Sequence, residues 1–142
     1  SAKELSKSPL VPAQAMRPNI VFGDGETILL VDSNQLLLQL GKDILEKLNY
    51  RVITVRNAAE FTEQHFQDKI DLLILDGIAP IGESRTIVRQ VRNEHPMVKT
   101  LFSTVHDTQL KTECGQKIAR EKIINKPFTI HSLSHTINQT LH

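Results

Sequence analysis

Five short, nearly continuous apolar runs recur along the chain, at about residues 27–32, 51–55, 70–76, 98–104 and 122–125. Such runs are typical of strands that are buried on both faces of a parallel sheet. The segments between them carry helix caps or apolar residues at helical spacing, which predicts repeated βα units. Parallel strands joined by right-handed crossovers place helices on both faces of the sheet. The sequence therefore predicts a three-layer α/β domain of five strands and five helices.

The predicted helices cover about residues 34–49, 57–67, 83–94, 107–115 and 129–141. Their predicted N-caps are polar residues with a side-chain oxygen, namely Asn34 or Ser33, Asn57, Asp107 and Thr129. In the first helix, apolar residues recur at helical spacing and are predicted to form a wide core-facing stripe, comprising Leu36, Leu37, Leu40, Ile44, Leu45 and Leu48.

Length and charge limit the class of protein. A chain of 142 residues with 39% hydrophobic residues suits one domain plus a tail. Residues 1–26, with three prolines and two glycines, are predicted to be a linker or tail, and residues 27–142 the domain. The chain starts Ser1-Ala2, and we expect it to be a piece of a longer protein.

The net charge of +1 gives no reason to expect contact of this domain with nucleic acid or with a membrane. No segment has the length and apolarity of a membrane helix or the layout of a secretory signal. The single cysteine, Cys114, cannot form an internal disulfide and suits a reducing compartment. A cytoplasmic location is therefore predicted.

Polar side chains stand at the ends of four predicted strands. Asp32 ends the first, Asp76 the third and Thr104 the fourth, while the fifth runs into Lys126-Pro127. Ligands of open parallel sheets bind outside the carboxyl ends of the strands, so these side chains are expected to converge. Each alone has a simpler explanation as a cap, a turn residue or a solvated charge. Chance is a much weaker explanation when all four strand ends carry such side chains.

The chemistry of this set favours a cation and a nucleophile. Asp32-Ser33-Asn34 places negative charge where a phosphate-binding loop would need glycines, which disfavours a dinucleotide site. Two carboxylates suit Mg²⁺, and a carboxylate beside that ion can attack a phosphoryl group. Thr104 and Lys126 would then hold the transferred oxygens. The residues predict an aspartyl-phosphate site.

The segments ILLVDSN, LLILDGIAP, FSTVHD and INKPF, in that order, resemble the receiver domain of two-component response regulators. The resemblance covers the chain from about Glu26 onward. It implies a flavodoxin-like (βα)5 fold with strand order 2-1-3-4-5. It also implies Mg²⁺-dependent transfer of phosphate to Asp76 from a histidine kinase or a histidine phosphotransfer domain, with a changed output surface. Whether the domain forms a homodimer is left open.

The resemblance implies roles for individual residues. Asp76, with Thr104 and Lys126, would form the phosphoacceptor centre, and Asp32, Asp76 and the carbonyl of Ile78 would hold Mg²⁺. The segment GDGETILLVD resembles the junction between a hybrid sensor kinase and its attached receiver. The parent chain is then a histidine kinase, which can tether the domain to a membrane-bound sensor. Receivers promote their own phosphorylation and dephosphorylation, so enzyme status is left open.

Several positions depart from the family pattern. Ser33 replaces the usual second acid, so it is at best a weak ligand through its hydroxyl or a water, and reduced Mg²⁺ affinity is expected. Ile123 stands where many receivers have an aromatic residue, and Val105 is bulkier than usual. These departures keep open an alternative function, a degenerate receiver that binds partners without phosphorylation.

Two further alternatives are disfavoured. An aspartate-based phosphatase would need a second Asp two residues after the nucleophile, where Ile78 stands, and a cap domain. His131 and His135, four residues apart on the last predicted helix, lack a third ligand and are expected on a solvated face.

Overall fold

The computed structural model describes residues 19–61, 69–77, 81–105, 118–119 and 122–142. It contains a five-stranded sheet in the order β2-β1-β3-β4-β5, in which every neighbouring pair is parallel. This confirms the predicted fold class and strand order. The strands are β1 (Thr27–Val31), β2 (Arg51–Val55), β3 (Leu72–Asp76), β4 (Lys99–Thr104) and β5 (Ile123–Asn125).

Among the described residues, three α-helices connect or follow these strands, α1 (Gln35–Lys47), α2 (Ile81–Glu94) and α3 (Ile130–Leu141). Asn34 caps α1, because its side chain accepts hydrogen bonds from the backbone N–H groups of Leu36 and Leu37. Thr129 caps α3 in the same way through the N–H of Ser132. These two helices begin where the sequence predicts them to begin.

The core has two layers, one on each face of the sheet. Ile28 and Leu30 of β1 point to the layer that also contains residues of α1 and α3. Leu29 and Val31 point to the layer that contains residues of α2. Both faces of β1 are thus buried, as its uninterrupted apolar sequence predicts.

The predicted core stripe of α1 is wrong at two positions. Leu36 is 82% exposed and Leu40 38% exposed, whereas Leu38, Leu45 and Leu48 are buried. The buried residues of α1 are Leu38, Gly41 and Leu45, so the face that carries them packs on the sheet. A helix with leucine at many successive positions does not reveal by spacing alone which of them face inward.

The start of the second predicted helix differs from the structure. Asn57 is a cap, as predicted, but the turn that it caps, Ala58–Glu60, is a 3₁₀ turn, and Phe61 has an extended backbone. Residues 62–68 lie outside the described residues, as do the predicted helix of residues 107–115 and Cys114.

Residues 19–26 pack against the domain. Ser134 of α3 is fully buried, and its hydroxyl exchanges hydrogen bonds with the backbone N–H and C=O of Val21. Gly23 N–H donates to the Leu48 carbonyl at 2.7 Å, and Ile20 packs on the core layer beneath α1 and α3. Whether the domain begins at residue 27, as predicted, stays a prediction. Among the described residues, no helix has the length and apolarity needed to span a membrane.

Candidate functional site

The strand ends carry the predicted polar residues into one buried location. Asp32 follows β1, Asp76 and Thr104 are the last residues of β3 and β4, and Lys126 follows β5. Their exposures are 2%, 5%, 0% and 8%. Charged residues are almost never buried this deeply unless they are paired, so this edge of the sheet must contain its own charge compensation.

Lys126 supplies that compensation. Its Nζ lies 2.8 Å from Asp32 Oδ2 and 3.3 Å from Asp76 Oδ1. One ammonium therefore joins two buried carboxylates that are 44 residues apart in the chain. The three charged groups have a formal sum of −1, and burial strengthens their mutual attraction relative to water. The site as a whole still favours a cation.

Hydrogen bonds of the backbone hold two of the three charged residues, Asp32 and Lys126. Asp32 N–H donates to the Val55 carbonyl at 3.2 Å, and Lys126 N–H donates to the Thr104 carbonyl at 2.8 Å. The Asn34 N–H donates to Asp32 Oδ1 at 2.9 Å, so both oxygens of Asp32 have partners. Since the first turn of α1 holds one oxygen and Lys126 the other, the Asp32 carboxylate has little freedom to rotate.

One residue of this edge was not predicted. Ser103 is fully buried, pairs with Asp76 across the sheet, and its hydroxyl donates to the Leu75 carbonyl at 3.3 Å. Its carbonyl accepts the Gly77 N–H at 2.7 Å. The turn after β3 is thereby attached to β4. A serine beside Thr104 inside an apolar strand was the available signal.

Other predicted residues lie outside this cluster or outside the described residues. Ser33 is exposed, next to Asp32. Ile78 is not among the described residues. Ile123 is buried in β5 opposite Phe102, and Val105 is 52% exposed.

His131 and His135 are half-buried on α3 rather than on a solvated face. One ring nitrogen of each is buried and has no hydrogen-bond partner among the described residues. The helix turns this side partly toward the packed layer, which the spacing of two histidines does not reveal.

The donor set fits Mg²⁺. Asp32 and Asp76 contact the same ammonium, so their carboxylates are close enough to face one small dication. Mg²⁺ in proteins typically uses one or two carboxylates and keeps several waters. A third carboxylate is missing because residue 33 is serine. The two carboxylates suffice for the ion and give less charge than three would.

The model of the response regulator receiver domain family matches residues 28–138. This is most of the chain, and the chain therefore belongs to the response regulator receiver domain family. The matched segment begins in β1 and ends within α3, and so contains every residue of the buried cluster.

Individual proteins agree with this assignment. The alkaline phosphatase synthesis transcriptional regulatory protein PhoP of Bacillus subtilis is 25% identical over 114 residues, which cover 80% of this chain and 48% of the relative. The sensor kinase CckA of Brucella abortus is 23% identical over 117 residues, or 81% of this chain and 12% of the kinase. This chain spans about half the length of the first regulators that it matches.

Among solved structures, the chemotaxis response regulator CheY4 of Vibrio cholerae superimposes with a TM-score of 0.67. The alignment covers 83% of this chain and all of CheY4 at 22% identity. At this identity the likeness shows the fold alone.

Proposed function

We propose that this domain accepts a phosphoryl group on Asp76 from a phosphohistidine of a histidine kinase or a histidine phosphotransfer domain. The observation that carries the proposal is the joint contact of Lys126 with Asp32 and Asp76 at the carboxyl edge of the sheet. Burial of this cluster provides a water-poor pocket in which a carboxylate can act as a nucleophile. Membership of the receiver family supports the same chemistry.

In the proposed step, an Asp76 carboxylate oxygen attacks the phosphorus of the phosphohistidine. A P–O bond forms, the P–N bond breaks, and the imidazole nitrogen retains the electron pair of the broken bond. The Lys126 ammonium, already within 3.3 Å of Asp76, is close enough to pair with the new phosphoryl oxygens. Thr104, at the end of the adjacent strand, would offer its hydroxyl to the same group.

Mg²⁺ would supply the positive charge that lets the carboxylate and the phosphoryl group approach each other. Asp32 and Asp76 would hold it, with the Ile78 carbonyl and, more weakly, Ser33 through its hydroxyl or a water. Because residue 33 has no charge, we expect a lower Mg²⁺ affinity than a site with three carboxylates would have.

The change of charge at Asp76 would then alter the surface formed by β5, α3 and the predicted helix of residues 107–115. A hybrid histidine kinase is the parent chain that we propose. The similarity to a segment covering 12% of the sensor kinase CckA supports this parentage, since that relative carries a comparable segment within a kinase. The cytoplasmic location of the domain stays a prediction.

Beryllofluoride, an analogue of the phosphoryl group, tests the site without a cognate kinase. We expect backbone amide NMR signals at the ends of β1, β3 and β4 to shift with beryllofluoride plus Mg²⁺, and not with either alone. Asp76→Asn should remove the response, whereas Asp43→Asn, on the exposed face of α1, should retain it. An identical response in Asp76→Asn would contradict the proposal, and no response in the wild type would favour the degenerate receiver.

A further inference from the structure

A second group of metal-ligating side chains lies at the opposite end of the sheet from Lys126. The segment before β1 contributes Asp24 and Glu26, and the end of α3 contributes His142. One ligand atom of each lies within 4.8 Å of the other two, and His142 Nε2 is 3.4 Å from Glu26 Oε2. Within the part of the chain that the structure describes, this is the only such group of three.

The two carboxylates are presented by a fixed backbone. Gly23 N–H donates to the Leu48 carbonyl, Gly25 N–H donates to the Asn49 carbonyl at 2.9 Å, and Asn49 Nδ2 donates to the Gly23 carbonyl at 2.7 Å. These bonds attach both sides of Asp24 to the end of α1. Glu26 is only 18% exposed, and its Oε1 accepts the Asp24 N–H, which leaves Oε2 toward His142.

Tyr50 gives independent evidence for a ligand here. The residue is 4% exposed, and its buried hydroxyl has no hydrogen-bond partner among the described residues. One edge of the ring, from Cδ1 to Cζ, lies against Gly23, since a Cβ added there would be 2.5 Å from Tyr50 Cζ and 2.7 Å from Cδ1. Burial, and then the charges of Glu26 and Asp24, raise the pKa of Tyr50 to about 12. A buried phenol oxygen without a hydrogen-bond partner costs free energy unless something binds it.

We propose that Asp24, Glu26 and His142 bind a divalent transition-metal ion, near the Tyr50 ring that packs on Gly23. Imidazole and carboxylate together suit Zn²⁺ and related ions, whereas Mg²⁺ prefers oxygen ligands alone. Three protein ligands leave a position for water, as in open zinc sites. The two carboxylates and a neutral imidazole balance the charge of the ion.

The bound ion would join the segment before β1 to the end of α3. Asp24 is exposed and the His142 side chain is 55% exposed, so both can move the short distance needed to close on the ion. Binding to the folded state alone would stabilise the domain by mass action. The site shares no residue with the Asp32, Asp76 and Lys126 cluster, and its occupancy does not depend on phosphorylation.

Zinc titration of the whole chain tests this proposal, with calorimetry and tyrosine emission as readouts. The chain has one tyrosine and no tryptophan, so the emission reports on Tyr50. We expect one Zn²⁺ per chain, a change in emission along the same saturation curve, and little competition from millimolar Mg²⁺. Glu26→Gln and His142→Gln should each weaken binding by about tenfold or more.

The controls separate this site from other ligands. Glu94→Gln removes an exposed carboxylate on α2 and His131→Gln removes another histidine of α3, and both should bind Zn²⁺ like the wild type. Circular dichroism spectra verify that each variant is folded. Unchanged affinity in both Glu26→Gln and His142→Gln, loss of binding in His131→Gln, or absence of saturable binding by the wild type would overturn the proposal.

Discussion

The Lys126 ammonium lies 2.8 Å from Asp32 Oδ2, and the two side chains are only 4% and 2% exposed. Asp76 Oδ1 is 3.3 Å from the same nitrogen. Removing one member of a buried charge cluster costs far more than removing an exposed ion pair, because the remaining charges stay in a poorly solvated place.

Replacement of Lys126 by methionine should therefore destabilise the fold. We expect a loss of about 3–5 kcal/mol in the free energy of unfolding at pH 7, measured by urea denaturation. Lys122→Met is a matched control, since Lys122 is exposed just before β5, and it should change stability by less than about 0.5 kcal/mol. Equal effects of the two substitutions would mean that the cluster is not charged as described.

Ser33→Asp should strengthen Mg²⁺ binding. The substitution adds a carboxylate beside Asp32 and changes the formal charge of the cluster from −1 to −2, so we expect about tenfold higher affinity. NMR shifts of amides near β1 and β3 follow the titration, because Tyr50 lies at the other end of the sheet. Ser33→Asn, whose new side chain has the shape of aspartate without its charge, should bind Mg²⁺ with the affinity of the wild type. Equal Mg²⁺ affinities of Ser33→Asp and Ser33→Asn would contradict the expectation that charge at residue 33 limits binding.

Titration of Tyr50 predicts an alkaline loss of stability. Its pKa is 10.0 in an unfolded chain and about 12 in the folded protein. Between these two pH values the folded state retains the phenol proton and the unfolded state has lost it. The stabilisation of the folded state by Tyr50 is therefore complete below pH 10 and declines as the pH rises toward 12. Over this range the free energy of unfolding should fall by about 3 kcal/mol.

Absorbance of tyrosinate measures this directly, since Tyr50 is the only tyrosine in the chain. The folded protein should titrate about two pH units above the protein in urea. Tyr50→Phe should remove the pH dependence assigned to this group. If the folded and the unfolded protein had the same midpoint of tyrosinate titration, burial and the nearby carboxylates would not raise the pKa of Tyr50.

Gly23→Ala should destabilise the domain through Tyr50. A methyl group at residue 23 would be 2.2 Å from Tyr50 Cε1, so the ring or the segment must move, at a cost of about 1–3 kcal/mol. A double-mutant cycle with Tyr50→Ala isolates the cause, because the Gly23→Ala cost should largely disappear without the ring. If urea denaturation gives the same cost in both backgrounds, residues 19–26 do not pack on the domain as described.

The sequence predicted the sheet and the buried cluster for related reasons. Continuous apolar strands imply a parallel sheet, and parallel strands align their carboxyl ends, so Asp32, Asp76, Thr104 and Lys126 had to approach one edge. The wide apolar content of α1 obscured its orientation, because spacing alone does not distinguish Leu38, which is buried, from Leu36, which is exposed.

Features that depend on packing between distant segments could not be predicted. Residues 19–26 have no periodic pattern, and their position depends on the Ser134 hydroxyl, the end of α1 and the Tyr50 ring. None of these contacts has a local signal in the sequence. The same holds for the approach of His142 to Glu26, which requires the end of α3 to meet the segment before β1.

Phosphorylation of the intact chain shows whether Asp76 is the phosphoacceptor. With acetyl phosphate and Mg²⁺, mass spectrometry should show one added phosphoryl group, which peptide mapping locates on Asp76. The addition should be absent when EDTA is present and in Asp76→Asn, and present in Asp43→Asn. A wild-type chain that stays unmodified at saturating Mg²⁺, or an Asp76→Asn chain that gains the same mass, would contradict the account.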